Sequence, residues 1–226
     1  KGDAKDEFYW LNEFNKAAVV MTTETGIIPR ALSKPLAQGV AKAIEEGDKP
    51  GAKRPKDYLQ YEPLVVVHAG PDASRLHSGR SRQDILSTTR RVMLRDRVLD
   101  LMDGLDTARG KLQSLAAKHV KTIVPAYTNG VQAQPITYAH YLGGYAAAFE
   151  RDAQRLREAY ARLNLSPLGS AALGTSSFPV DRKRLAELLG FPPAFLQSRL
   201  QRADRILHVA RAAQDIGNAA GDFATL

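Results

Sequence analysis

The sequence predicts an all-α fold, in which a small N-terminal helical domain precedes long antiparallel helices of a bundle. Three observations carry that expectation. Apolar residues recur at alternating three- and four-residue steps through two long stretches. Prolines at 125, 135 and 167 separate those stretches, and strand-like alternation is almost absent.

Along the chain, Phe8, Leu11, Phe14, Ala18 and Met21 share one face of a helix over residues 6–25, and Gly26 stops it. Pro29 opens a second helix that reaches Glu46. Residues 47–57 form a polar linker rich in Gly and Pro. Leu64 to Val67 is read as helix despite its β-branched residues.

From Arg82 to Lys121 the seam Leu94, Val98, Leu101, Leu105, Ala108, Leu112 and Leu115 repeats with a heptad period, so this helix packs against near-parallel or antiparallel partners. Gly104 and Gly110 each weaken it by about 1 kcal/mol relative to Ala, which packing must offset. Pro125 ends this helix and Pro135 opens the next, with Leu142, Ala146, Phe149, Ala153 and Leu156 on one face. A short helix from Asp181 closes at Gly190, and a last helix runs from Ala194 to the C-terminus. The expected domains are residues 1–80 and 81–226, the second incomplete at its C-terminal end.

Composition narrows the function classes. The chain has 226 residues, 44% hydrophobic and 25% charged, enough for a substantial core. No apolar run is long enough to span a membrane. Cysteine is absent, which removes disulfide and thiolate chemistry and fits a reducing cytoplasm. The net charge of +8 suits anionic small molecules; the basic residues form no stripe interleaved with aromatics, which argues against nucleic acid. The five histidines lack metal-ligand spacing, so neither a metal nor a cofactor is expected.

Three segments carry chemistry. The first is His77-Ser78-Gly79-Arg80-Ser81-Arg82-Gln83-Asp84, ahead of the long helix. Arginine offers a planar fork that matches a carboxylate, and a helix start presents free N–H groups. Asp84 follows Ser81 at the spacing of a capping box, so a plain helix cap with solvated arginines is the competing reading. The second is the proline-bracketed run 125–135, and the third the Gly/Ser-rich run 166–177; either could simply turn a corner. A 40-residue helix is on the order of 60 Å long, so an antiparallel partner leaves the first and third segments at one end and the second at the other. One site using all three needs identical subunits packed antiparallel.

The first segment resembles the His-Thr-Gly-Arg-Ser-Arg-Asn-Asp element of argininosuccinate lyases, in the fumarase/aspartase superfamily. Ala126-Tyr127-Thr128-Asn129 with Ala133-Gln134-Pro135 is similar to that family's Gly-Tyr-Thr-His and Ala-Gln-Pro, and Leu165 to Thr175 resembles its Ser-Pro-Leu-Gly run. The resemblance implies a cytoplasmic enzyme without cofactor. It implies a homotetrameric helical core with sites shared between subunits, and release of fumarate from an N-succinyl amine. It places Ser81, Arg82, Gln83, Thr128 and Gln134 at the substrate, and Asn129 at a catalytic histidine's position. Asn can orient and donate but cannot shuttle a proton.

Gln83 likewise replaces the family's Asn, Asn15-Lys16-Ala17-Ala18 stands where it shows Ser-X-Ala-His and so loses a histidine, and Tyr58 stands in place of another. These departures point to an amine other than that of argininosuccinate, in the manner of ethylenediamine-disuccinate lyases. Argininosuccinate itself and a catalytically silent relative are the alternatives. The family's Ser-Ser-X-Met-Pro-X-Lys element with its catalytic serine does not occur in these residues, which implies part of a longer enzyme.

Overall fold

The computed structural model describes residues 5–174 and 176–192. Helix α1, Glu7–Glu24, starts where the Asp6 carboxylate accepts the Tyr9 N–H at 2.9 Å. Its expected face is fully enclosed: Phe8, Phe14, Ala18 and Met21 are 0% exposed. Helix α2 covers Arg30–Gly47, and α3 covers Tyr58–Ala69 behind an Asp57 cap. A Cβ at Gly47 would run into the Phe8 ring, so glycine is what lets the end of α2 lie on α1. Leu64 to Val67 is helical, as read; the Asp57 cap and the burial of Tyr61 and Val65 override β-branched propensity. A 3₁₀ turn, Pro71–His77, leads toward α4, Arg82–Lys118.

Strands β1, Ile123–Thr128, and β2, Val131–Thr137, correct the expectation that residues 125–135 form a loop. They pair antiparallel around Asn129-Gly130, whose φ angles of 49° and 76° give the left-handed backbone of a tight hairpin turn. Pro125 and Pro135 face each other in the register. A two-stranded ribbon has only edge strands, where a missing N–H is tolerated. Pro135 therefore sits in β2, and α5 begins at Tyr138 and runs to Leu163. Helix α6 is Arg182–Leu188 behind an Asp181 cap, and Gly190 follows with φ 68°. The helix expected from Ala194 lies outside the described residues. Among the described residues the remaining elements are all helices, so the all-α class holds with the hairpin added.

The described residues form two compact units. The first comprises residues up to 94 together with those from 164 onward, and it holds the main core of Phe8, Phe14, Leu36, Tyr61, Leu76 and Leu185. Arg184 grips the Glu24 carboxylate through two bonds of 2.9 and 3.1 Å and so ties α6 to the end of α1. The second unit is residues 95–163. There Val98, Leu105, Leu142, Phe149 and Leu156 are buried, whereas of the seam Leu101 and Leu112 are half-buried and Leu115 remains 38% exposed. The heptad seam is thus only partly covered within one chain.

Candidate functional site

The start of α4 is built around Asp84, which is 1% exposed. Its Oδ1 accepts the Ser81 N–H at 3.2 Å, one half of a capping box. The Ser81 hydroxyl accepts from Gln83 N–H at 3.2 Å rather than from the third helical residue, so the box is only half formed. Asp84 Oδ2 accepts the Ala171 N–H at 2.8 Å. One carboxylate therefore joins the first and third loaded segments. The closely apposed Arg182 is held to Asp84 by charge, while burial pushes its pKa down.

Ser81 is half-buried, and Arg82 and Gln83 are exposed. Beside them lies a cavity of about 110 Å³, lined by Arg82, Gln83, Lys56, Asp57, Tyr58 and Thr89. That is room for several waters or a carboxylate-sized group. Two cationic side chains and an amide border one small space together with the Asp57 carboxylate, and the excess of donors suits an anion.

Behind this surface the turn is rigidly enclosed. Gly79 has φ 68°, and a Cβ there would run into the Val180 side chain. Arg80 is 6% exposed and donates through Nη2 to Asn15 Oδ1 at 3.0 Å. Its guanidinium lies 5.3 Å from the Tyr58 ring centre. Tyr58 stacks in turn on His77, with centroids 4.3 Å apart and planes 16° from parallel. Burial, with the Arg80 charge second, drives the His77 pKa down to about 4. His77 is neutral at physiological pH.

Thr128, Asn129 and Gln134 belong to the hairpin of the second unit and are exposed. Thr128 pairs with Val131 at the mouth of the turn. Between the pairs Pro125–Pro135 and Tyr127–Gln132, Ala126 stands opposite both Ala133 and Gln134, so Gln134 sits at a bulge. The base of the hairpin is closed by Tyr138 N–H, at the start of α5, donating to Thr122 O just before β1 at 2.8 Å. The structure thus brings Ser81, Arg82 and Gln83 together with the 166–171 segment, and gathers Thr128, Asn129 and Gln134 separately. Among the described residues no cluster of three His, Cys, Asp or Glu side chains could hold a metal ion.

Sequence reasoning assigned Arg80 and Arg182 no role of their own and did not place Lys56 beside Tyr58 and Arg82 in a cavity wall. No local pattern marks Arg80 as buried and Arg82 as exposed. The hairpin had a signal, since Asn-Gly between apolar runs is the strongest short-range mark of a two-residue turn.

A protein-family model described as a lyase matches residues 43–224. The chain belongs to this lyase family. Its relatives include the argininosuccinate lyase of Anoxybacillus flavithermus, 35% identical over 193 residues, covering 84% of this chain and 42% of that protein. The argininosuccinate lyase of Methanosarcina barkeri is 40% identical over 177 residues, covering 77% of this chain and 36% of that protein. The chain therefore spans less than half the length of these relatives. Among solved structures, an EDDS lyase in complex with formate superimposes with a TM-score of 0.84 at 31% identity, over 96% of this chain and 44% of that one. A fumarate lyase from Mesorhizobium sp. BNC1 shares the fold, with a TM-score of 0.76 at 22% identity. For this lyase-family chain the long helices are thus the family architecture. Among the described residues no helix is long and apolar enough to cross a membrane.

Proposed function

We propose that the protein carrying this chain is a carbon–nitrogen lyase that releases fumarate from an N-succinyl amine by β-elimination. The observation that carries this reading is the start of α4, where Arg82, Gln83 and Lys56 border a small cavity and Asp84 braces the turn. In the reaction a base removes the proton from the carbon beside one succinyl carboxylate, and the electron pair collects on that carboxylate. It then forms the C=C bond of fumarate as the C–N bond breaks and the amine leaves with a proton. A doubly charged intermediate needs preorganised donors more than anything else.

In this reading Arg82, Ser81 and Gln83 hold one end of the succinyl group, and Thr128 and Gln134 hold the other. Asn129 orients at the position of the family's histidine without transferring a proton. The general base is proposed to lie outside residues 1–226, because no Ser-Ser-X-Met-Pro-X-Lys element occurs among them. No metal or cofactor is needed for such an elimination.

Helix α4 is unbroken for 37 residues, about 55 Å of rise. Its first turn and the hairpin that follows its last turn therefore meet one succinyl group through neighbouring copies of the chain. A homotetramer of antiparallel subunits is the proposed assembly. The partly exposed heptad seam supports it, as does an apolar groove of about 510 Å³ in the second unit, lined by Leu112, Leu115, Tyr141, Leu142, Tyr145 and Phe149. The division into an N-terminal domain to residue 80 and a long-helix domain from 81 belongs to the same proposal, as does a cytoplasmic location.

The amine is proposed to differ from that of argininosuccinate, since Gln83, Asn129, the run Asn15-Lys16-Ala17-Ala18 and Tyr58 all depart from the argininosuccinate lyase pattern. Fumarate incubated with a panel of amines, with adducts identified by mass, tests this. Adducts with a non-guanidino amine support it. An adduct with arginine alone favours argininosuccinate instead, and no adduct at all favours a silent relative.

A further inference from the structure

We propose that Arg80 is a positioning residue, which sets the Ser81–Gln83 turn by locking its guanidinium between Asn15 and Tyr58. The inference rests on the reading that Arg82 binds a carboxylate, and it goes beyond that reading by assigning work to three residues that do not themselves grip the anion. Arg80 immediately precedes that turn, and its side chain is buried whereas that of Arg82 is exposed. Its Nη2 meets Asn15 Oδ1 at 3.0 Å on α1. Its flat face lies over Tyr58, at the first position of α3. The backbone is held as well, because Arg80 N–H donates to His77 O at 3.0 Å and His77 stacks on the same tyrosine.

The geometry couples α1 and α3 to the start of α4 through one guanidinium. Its Nε and Nη1 are enclosed without a well-aligned acceptor. The bond to Asn15 and the stack on Tyr58 therefore hold an otherwise costly buried cation in one orientation. Tyr58 has a second edge on the cavity that Arg82 and Gln83 border, so a shift of Arg80 is passed to that cavity directly.

Asn15 on α1 and Tyr58 on α3 thus converge on this one side chain. A lysine cannot replace the fork, because a point charge cannot both reach Asn15 and lie flat on Tyr58.

The test uses the whole protein and compares Arg80→Lys and Asn15→Ala with wild type. Amide hydrogen exchange at Ser81, Arg82 and Gln83 is the first readout, and binding of fumarate as probe is the second. Both variants are expected to speed exchange at these three amides and to weaken fumarate binding by about tenfold, the worth of one charge-assisted hydrogen bond. Far-ultraviolet helicity and exchange in α5 are expected to stay unchanged. The double variant should lose no more than the worse single, because both remove one coupled contact.

Unchanged exchange at residues 81–83 in both variants overturns the proposal, whatever the binding result. If Arg82→Ala weakens fumarate binding but Arg80→Lys and Asn15→Ala do not, Arg80 is only a core residue while the carboxylate reading stands. If Arg82→Ala itself leaves fumarate binding intact, the carboxylate reading fails. In that case the exchange result alone decides whether Arg80 orders the turn.

Discussion

His77 stacks on Tyr58 within reach of the Arg80 charge, and burial adds to that charge in disfavouring the imidazolium. Its folded pKa of about 4 lies below the unfolded value near 6.5. Between those values the unfolded chain binds more protons, so stability rises with pH. The contribution is complete above the unfolded value and is lost as pH falls toward the folded one. Urea unfolding should therefore show a stability that declines from about pH 7 to about pH 4.5, with a shallower decline in His77→Gln. A His77 proton titration by NMR with a midpoint near the ordinary value would contradict this.

Arg82 is the exposed counterpart of Arg80, and it should behave differently. Arg82→Ala is expected to leave helicity intact and to reduce fumarate release by about a hundredfold or more, the typical loss when a donor to a developing anion is removed. Unchanged turnover would remove it from the site. The run of motif residues was legible in the sequence, but the division of labour within it was not. Two arginines two positions apart look alike in a sequence. Only the packing of α1 and α3 decides that Arg80 goes inward and Arg82 outward.

Among the elements, the helices were largely readable because their apolar periodicity coincides with their caps. Asp6, Asp57 and Asp181 each accept a backbone N–H at the start of a helix, and α1, α3 and α6 begin at the next residue. The hairpin was not readable from periodicity, because β1 and β2 are solvent-facing and carry no buried alternation. Its turn imposes its own test. Asn129 at φ 49° occupies a backbone region that Asn, Asp and His tolerate and β-branched residues resist. Asn129→His should keep the hairpin and alter the pH profile of fumarate release. Asn129→Val should loosen the hairpin, seen as faster amide exchange at Val131. Equal exchange in both variants would mean that the turn does not depend on this backbone angle.

Asp84 joins two elements, and its substitution separates charge from shape. Asn at that position keeps one acceptor oxygen for two backbone donors, Ser81 N–H and Ala171 N–H. Asp84→Asn should destabilise the protein by about 1–3 kcal/mol in chemical unfolding, the cost of leaving a buried donor unpaired and losing a charged acceptor. A cost near zero would mean that the two segments are held by packing alone. The spacing Ser81-X-X-Asp84 announced the helix cap, but no local pattern could announce Ala171, which lies 87 residues away.

For the whole molecule, the long helix was the most informative prediction, and the heptad seam explains why. Helix α4 is 37 residues long, about 55 Å of rise, and this length underlies the proposal of sites shared between copies. In that proposal the seam left partly exposed in the second unit is where neighbouring copies would meet. Neither the amine nor the base was legible, because one depends on side chains lining a cavity and the other on a motif these residues do not contain.

Subunit complementation tests the shared site most directly. Arg82→Ala and Thr128→Ala proteins, each inactive alone, are unfolded, mixed in equal amounts and refolded together. A site drawing Arg82 from one copy and Thr128 from another predicts recovered fumarate release, approaching about a quarter of wild-type activity as chains assort at random. A mixture no more active than its two parents would contradict it.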